Sequence, residues 1–307
     1  MWEATIGMQL ALWVSGLDSP EETATWLHSE GVTAVEVDYR FFIESQPAFI
    51  ERAVQALRDA NVKIWSVHAP FGGDHNLSHL DESKRRDAVR MHIRVLNAIA
   101  DTGANVLIIH PGVHAEEGDI PRMSEVALRS LEELLPVAED MGVRLALENM
   151  LPDHPGAYAP ELRTMVERFE SPWLGICFDT GHAHVCGNML EQFEALQDLI
   201  ITFHIHDNDG TRDMHLPPGY GTVDWVGFVN LLKRMNFPDP IVIEAGSWQN
   251  AGHRWLAREV EALLKHGPLL FTGPHGKRVV MRCSECGHIL FGTRERFFCR
   301  CTSAQMV

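Results

Sequence analysis

The sequence lacks the features of a membrane or exported protein. Its 307 residues contain no uninterrupted apolar run of about 18 residues, the length at which a segment is read as a transmembrane helix. The N-terminal stretch has neither the basic start nor the long apolar centre of a signal peptide. We therefore expect a soluble, cytoplasmic protein that does not bind membranes.

Lysine is scarce, and its placement excludes one class of enzyme. The chain has five lysines, at positions 63, 84, 233, 265 and 277. None of them follows directly after an apolar, strand-like run, where side chains of an active-site mouth are expected. A Schiff-base aldolase needs a desolvated lysine in that place, so we do not expect this chemistry.

Positive charge is in short supply overall. The chain has 42 acidic against 26 basic residues and a formal charge of -16. A phosphate backbone would meet a repulsive field unless a local basic patch reversed it. Nucleic acid is therefore a disfavoured partner that stays open as an alternative, whereas a small sugar or polyol suits this composition.

Short apolar runs rich in β-branched residues recur along the chain and predict eight strands. They cover residues 7–13, 34–39, 64–69, 105–110, 144–148, 174–178, 200–206 and 241–244. The segments between them have apolar residues at helical spacing, and the stretch Ser19-Pro-Glu-Glu has a typical helix start. Gly31, Gly103 and Gly142 end three of these helices just before the next strand.

Eight alternating strands and helices predict a TIM (β/α)8 barrel over residues 1–266. The alternative is a doubly wound open sheet, which would carry a glycine-rich phosphate turn after its first strand. Residues 12–18 read Leu-Trp-Val-Ser-Gly-Leu-Asp and are not such a turn. Trp13, Trp65 and Trp248 are predicted near the barrel mouth, where they either stack against a sugar or pack in the core.

Histidine and carboxylate side chains stand at the predicted carboxyl ends of the strands or, for Asp213 and His215, in the loop after the seventh strand. This is the end of a TIM barrel at which active sites lie. The side chains are His68, His110, Glu148, Asp179, His182, His204, Asp213, His215 and Glu244. Imidazoles and carboxylates are the ligands that zinc and manganese accept. Four carboxylates in one pocket would repel one another without a cation. The sequence therefore predicts a divalent-metal site.

The same residues lie in motifs that resemble those of the xylose-isomerase-like TIM barrels. This superfamily includes sugar isomerases and epimerases, inosose dehydratases and the endonuclease IV group of apurinic-site nucleases. The matching motifs occur in order between residues 7 and 265: "HAP" at 68, "HPG" at 110, "LEN" at 147, "FDTGHA" at 178, "HIHDND" at 204, "RDMHLPPGYGTVDW" at 212 and "IEAG" at 243.

The resemblance implies two metal arrangements. In the isomerase and epimerase members, one metal is held by the residues matching Glu148, Asp179, His204 and Glu244. The nuclease members bind three zinc ions at the positions matching all nine residues, with the outermost ion on His182, Asp213 and His215. This chain keeps every position, so one to three ions are expected. His184 has no counterpart in these motifs and is predicted to lie at the rim.

Two mechanisms follow from the resemblance. In the first, Glu148 and Glu244 act as an acid/base pair that moves a proton next to a carbonyl of a sugar, sugar phosphate or inosose, with the metal stabilising the enediolate. In the second, clustered zinc ions attack a phosphodiester of abasic-site DNA or another phosphoester. We favour the isomerase or epimerase, because the loop after the third strand, at 71–83, carries no lysine or arginine for DNA. Tyr39 and Arg40, where nucleases insert side chains into DNA, favour the second mechanism.

The last residues predict a separate small module. A glycine- and proline-rich stretch at 267–278 is interpreted as a linker. Residues 279–307 then contain Cys283, Cys286, Cys299 and Cys301, which resemble a zinc ribbon although the second pair has one intervening residue where two are usual. His288 is an alternative ligand, and disulfides or free thiols are the other interpretation. The module would cap the barrel, mediate self-association into a homo-oligomer, or contact a partner.

Overall fold

The chain folds around a closed barrel of eight parallel strands. The computed structural model describes residues 9–245 except 15 and 117, residue 260, and the backbone of three short strands between 271 and 293. The barrel strands follow one another in sequence order: β1 Leu10–Val14, β2 Ala34–Asp38, β3 Lys63–His68, β4 Val106–Ile109, β5 Arg144–Glu148, β6 Leu174–Asp179, β7 Ile200–Ile205 and β8 Ile241–Ile243. The predicted TIM barrel is confirmed.

Helices follow the strands and surround the barrel. They are α1 Pro20–Ser29, α2 Tyr39–Glu44, α3 Pro47–Asp59, α4 Glu82–Ile99, α5 Ile120–Met141, α6 Ala159–Glu167, α7 Thr180–Cys186, α8 Met189–Leu196 and α9 Trp225–Met235. Helix α1 begins with a proline and two glutamates, as its sequence predicts. Helix α5 ends at Gly142, whose φ of 68° is left-handed and favours glycine. The helix predicted after β8 lies outside the described residues apart from position 260.

The strand register brings the carboxyl ends to one level. His68 at the end of β3 pairs with Asp38 of β2, and Asp179 at the end of β6 pairs with His204 of β7. Glu148 closes β5 beside Cys177. Because these residues stand at the same height around the barrel, their side chains converge on the barrel axis.

The core has two layers, as is usual for this architecture. A large apolar layer fills the space between strands and helices. A smaller one fills the barrel interior and contains Ala11, Ala34, Trp65, Val106, Ile108, Ala146, Cys177 and Val242. Trp65 is 2% exposed, and its indole Nε1 donates to Thr202 Oγ1. Because Trp65 lies in this layer, three residues before the end of β3, it belongs to the core and does not line the barrel mouth.

The C-terminal part contains three further strands, β9 Phe271–Gly273, β10 Gly276–Arg282 and β11 Ile289–Thr293, in one antiparallel sheet. Strand β9 and the start of β10 fall inside residues 267–278, which the sequence predicts to be a linker. The four cysteines of the predicted zinc module and His288 lie outside the described residues. Among the helices that are described, none is both long and apolar enough to cross a membrane.

Candidate metal centre

A cavity of about 380 Å³ opens at the carboxyl end of the barrel. Seven of the nine predicted ligands line it: His68, His110, Glu148, His182, Asp213, His215 and Glu244. Asp179 and His204 are fully buried. Trp13 also lines the cavity, and Phe71 at its edge is 59% exposed and stacks on the His110 ring with 4.6 Å between centroids. The dimensions suit a small molecule.

Four residues form a central cluster: Glu148, Asp179, His204 and Glu244. One donor atom of each lies within 4.8 Å of the others. The Nδ1 atom of His204 is 2.9 Å from Glu244 Oε2 and 3.5 Å from Glu148 Oε1. One imidazole and three carboxylates at these separations provide a suitable donor set for a divalent ion.

His68 and His110 approach the central cluster from one side. Their Nε2 atoms lie 3.7 Å and 3.2 Å from Oε2 of Glu148. Glu148 therefore stands between these two imidazoles and the rest of the central cluster, the position of a carboxylate that can bridge two ions.

His182, Asp213 and His215 lie together on the other side. Oδ2 of Asp213 is 3.5 Å from His182 Nε2 and 2.8 Å from His215 Nε2. His182 belongs to α7, whereas Asp213 and His215 belong to the loop between β7 and α9. His184, predicted at the rim, is partly buried and its Nε2 lies 2.8 Å from Thr222 Oγ1 in the same loop.

Two residues absent from the sequence prediction join the centre. His206, fully buried, lies with Nε2 3.1 Å from Asp179 Oδ2. Glu36 of β2 is fully buried in the barrel, with its carboxylate 3.0 Å from Nε2 of His204 and accepting a 2.6 Å hydrogen bond from Ser66. Glu36 thus faces the imidazole nitrogen that points away from the central cluster.

Hydrogen bonds to the backbone orient the other imidazoles. Three of them place Nδ1 at a backbone carbonyl: His68 at Ala69 (2.9 Å), His182 at Asn149 (2.9 Å) and His215 at Glu244 (2.8 Å). A nitrogen that donates to a carbonyl leaves the other ring nitrogen as the electron-pair donor. In each ring that second nitrogen, Nε2, points at a carboxylate of the centre, which is the arrangement of a metal-binding histidine.

The carboxylates are held in their charged form. Burial alone would raise the pKa of Glu148, but the imidazoles of His204 and His110 lower it well below its ordinary value. The same opposition lowers the pKa of Glu244 to about 2, with His204 the main favourable partner. Both glutamates are therefore ionised at neutral pH.

The pKa values of two histidines beside Asp213 are raised. Burial would lower the pKa of His182, but Asp179 and Asp213 raise it to about 10. Asp213 likewise raises the pKa of His215 to about 9 despite burial. These rings carry protons that compensate the carboxylates, and a cation that replaced those protons would serve the same purpose.

The donor atoms fit a metal in a further respect. Within the described part of the chain, six buried atoms of the centre make no hydrogen bond of standard geometry. Two are Glu36 Oε1 and His206 Nδ1, and four belong to predicted ligands: His110 Nε2, Glu148 Oε2, His204 Nδ1 and Asp213 Oδ1. Buried polar atoms are normally satisfied. Coordination to an ion would satisfy all four, so the residues fit the divalent metal that the sequence predicts.

Comparisons with known proteins agree with the fold. Residues 24–266 match the family profile described as the xylose isomerase-like TIM barrel. An uncharacterised protein of Methanocaldococcus jannaschii is 34% identical over 196 residues, which is 61% of this chain and 66% of that protein. A probable endonuclease 4 of Aquifex aeolicus is 28% identical over 226 residues, 67% of this chain and 77% of that protein.

Among solved structures, a D-tagatose 3-epimerase-like protein superimposes with a TM-score of 0.72 at 26% identity. The match covers 84% of this chain and 98% of that one. The residues that match the family profile make up most of the chain. The protein therefore belongs to the xylose isomerase-like TIM barrel family.

Proposed function

We propose that the protein is a divalent-metal-dependent isomerase or epimerase of a small sugar or polyol, with Glu148 and Glu244 as its acid/base pair. The observation that carries this proposal is the approach of both carboxylates to one imidazole nitrogen, His204 Nδ1, beneath a cavity of about 380 Å³. Two carboxylates on either side of one small-molecule site can exchange protons with the same substrate carbon atom.

The chemistry requires one base to remove a proton and a second group to return it. Glu148 and Glu244 are ionised at neutral pH because both pKa values are lowered. One of them accepts a proton from the carbon next to a carbonyl. The other, which is also ionised at rest, takes a proton from solvent and delivers it to the opposite face of that carbon, giving an epimer, and the first glutamate then releases its proton to solvent. Delivery to the neighbouring carbon, with the hydroxyl proton passing between the two substrate oxygens, gives an isomer. A divalent ion bound by the central cluster would polarise the carbonyl.

The charge of the cavity favours an uncharged substrate. Among the described residues that line it, Arg40 is the one lysine or arginine. Its guanidinium is held by Asp38 through two hydrogen bonds of 2.8 Å. A carboxylate so placed neutralises the guanidinium, which leaves little attraction for a phosphate. We therefore infer a neutral ketose, inosose or related polyol rather than a sugar phosphate.

A multi-zinc phosphodiesterase acting on abasic-site DNA or another phosphoester is the second candidate. It is favoured by the grouping of all nine predicted ligands around the cavity and by relatives named probable endonuclease 4. This function would use every group of the centre, whereas proton transfer at carbon needs the central cluster alone. The net charge of -16 opposes it.

The two candidates are separated by assaying the metal-loaded protein on a panel of ketoses and inososes and, in parallel, on an abasic-site duplex. We expect sugar turnover, with Glu148→Gln and Glu244→Gln each reducing kcat by about 10²–10⁴-fold because a proton-transfer group is lost. Glu51→Gln on the exposed face of α3 is the matched control. Rapid strand incision without sugar turnover would contradict the proposal.

A further inference from the structure

One side of the cavity is lined by apolar residues. It is built from the ends of three neighbouring strands, β3, β4 and β5. Apart from the predicted metal ligands, six described residues line the cavity on this side, and five of them are apolar: Phe71, Gly112, Val113, Met150 and Leu151. We call these five residues the apolar wall. The described lining residues that follow β2, β6, β7 and β8 all have charged or imidazole side chains, and β1 adds Trp13.

His154 is the sixth residue on this side, and it adds no charge. Its Nδ1 lies 2.9 Å from the carbonyl oxygen of Pro152. Because a carbonyl only accepts, Nδ1 carries the hydrogen and Nε2 carries the electron pair. Burial lowers the pKa of the His154 ring, so the ring is neutral at neutral pH. His154 can therefore accept one hydrogen bond from a ligand, and it offers no attraction to an anion.

Phe71 places a large apolar surface at the edge of the cavity. Its side chain is 59% exposed, although one face of the ring stacks on His110 with planes 29° apart. The His68 ring meets it edge-on with 5.2 Å between centroids. Since Nε2 of His110 lies 3.2 Å from Oε2 of Glu148, a single imidazole separates the Phe71 ring from a proposed catalytic carboxylate. Exposed apolar surface in a cavity of this kind is typical of a ligand-binding contact.

The apolar wall and the proposed acid/base pair face the same cavity. Glu148 and Glu244 line it together with the wall. The volume of about 380 Å³ is near the lower limit of the roughly 300–1,000 Å³ that ligand pockets have. A single small molecule that presents a carbon atom to the two glutamates therefore extends toward the wall.

We propose that the apolar wall binds the end of the substrate that is remote from the reacting carbon, and that this end is deoxygenated. The substrate is then a deoxyketose, with a methyl group where an ordinary ketohexose has its terminal hydroxymethyl group. This inference rests on the proposed isomerase or epimerase function and specifies its substrate within the class of neutral ketoses.

The preference follows from the solvation of the two kinds of terminus. A hydroxyl group placed against the wall loses its hydrogen bonds to water, and the five wall side chains offer none in return. A methyl group at the same place buries apolar surface, which is favourable. Because a hydrophobic pocket discriminates between substrates that differ by one such group by about 10–200-fold, we expect the deoxygenated compound to be preferred by about 10–100-fold.

The test compares compounds that differ by one hydroxyl group and that the protein cannot convert. A 6-deoxyhexitol and the hexitol of the same configuration have no carbonyl group, so their binding is measured without turnover. In a panel of such pairs, titration calorimetry with the metal-loaded protein should give, for the pair that binds best, a Kd about 10–100-fold lower for the 6-deoxyhexitol. Equal Kd values, tighter binding of the hexitol, or no binding of any pair would overturn the proposal.

Two variants of the wall locate the preference. Val113→Thr keeps the shape of the side chain and adds a hydroxyl group, so the preference should fall about 10-fold. Val137→Thr, at a half-buried position of α5, is the matched control and should keep it. Phe71→Ser should weaken binding of the 6-deoxyhexitol, whereas Tyr158→Ser, at an exposed position, should not. An unchanged preference in Val113→Thr, or the same loss in Val137→Thr, would contradict the assignment of the wall.

Turnover separates this inference from the proposed function. Conversion of ketohexoses and their 6-deoxy forms with equal kcat/KM would overturn the deoxyketose assignment and leave the isomerase or epimerase function standing. A 6-deoxyhexitol preference that Val113→Thr removes, without conversion of any ketose, would support the wall and contradict the proposed function.

Discussion

His204 and Glu36 form a fully buried pair at the floor of the metal centre. The Glu36 carboxylate lies 3.0 Å from Nε2 of His204, and Nδ1 faces Glu244 and Glu148. A carboxylate behind a metal-binding imidazole fixes its orientation and increases its basicity. In the proposed site Glu36 would therefore be a positioning residue that acts through His204 rather than through the substrate.

The Glu36→Gln variant tests this role. Glutamine can still accept the hydrogen bond from Nε2 but lacks the negative charge, so the affinity of the central ion should fall by about 10–100-fold. The measurement is the metal dissociation constant by competition with a chelator, with Glu51→Gln as control. An unchanged dissociation constant would show that the carboxylate serves packing alone.

Glu36 and His206 are absent from the predicted site, although the sequence contains a signal for each. Glu36 is a charged residue within the strand Ala-Val-Glu-Val-Asp, every position of which is buried, and a buried charge must be paired. His206 follows His204 by two positions, and alternate residues of a strand point to the same side. Neither residue matches a ligand position of the family, whereas the alternation of side chains along a strand indicates both.

Helix α4 contains a buried histidine that links stability to pH. Burial lowers the pKa of His92 to about 4, below its ordinary value of 6.5, and Nδ1 contacts the Ala88 carbonyl at 2.8 Å. The folded state therefore favours the neutral ring. In the unfolded chain His92 has its ordinary pKa of 6.5, so below that pH the unfolded state binds the proton more readily than the folded state. The contribution of His92 to the free energy of unfolding is therefore complete above about pH 6.5 and is lost as the pH falls toward 4.

Unfolding by urea at several pH values measures this effect. We expect the contribution of His92 to change by roughly 3 kcal/mol between pH 7 and pH 4. A His92→Gln variant should have a flatter pH profile than wild type, whatever its absolute stability. His28→Gln, at an exposed position, should keep the wild-type slope; equal slopes for wild type and His92→Gln would refute the assignment.

The loop between β7 and α9 is organised by a single buried carboxylate. Asp207 is fully buried and accepts hydrogen bonds from Gly219, Val223 and the indole of Trp225. Burial raises the pKa of its carboxyl, and these donors oppose the rise. The loop carries Asp213 and His215, which line the cavity, so its anchoring connects the fold to the candidate site.

An Asp207→Ala variant should lose about 3 kcal/mol or more of unfolding free energy, because several buried donors would be left without an acceptor. Asp209→Ala, two residues further on, removes local hydrogen bonds to Thr211 near the surface and should lose less than about 1 kcal/mol. Equilibrium urea unfolding compares the two. Similar losses would mean that Asp207 is not the anchor of the loop.

At the scale of the whole molecule, the barrel was predictable because strands and helices have periodic sequences. The eight apolar runs and the glycine at 142 placed the elements within a few residues. Loop residues such as Asp213 and His215 have no such periodicity, and their place in the site came from motifs. Neither kind of pattern encodes the number of ions, because that number depends on how side chains from several elements meet.

The composition of the molecule supports the proposed substrate class. A formal charge of -16 and an arginine neutralised by Asp38 at the cavity oppose a polyanionic ligand. The carboxylates of the centre would attract a divalent cation, and that cation could bind the oxygen atoms of an uncharged polyol. The relatives carry names from both branches of the family, so the assignment for this chain depends on its own cavity and centre.

Solvent exchange into the substrate is the most direct test of the central claim, proton transfer at carbon by Glu148 and Glu244. The metal-loaded protein would be incubated in deuterated water with each ketose or inosose, and deuterium next to the carbonyl measured by NMR. We predict incorporation with wild type and Glu51→Gln and none with the Glu148→Gln, Glu244→Gln double variant. Product formation without deuterium, or equal exchange by the double variant, would contradict the account.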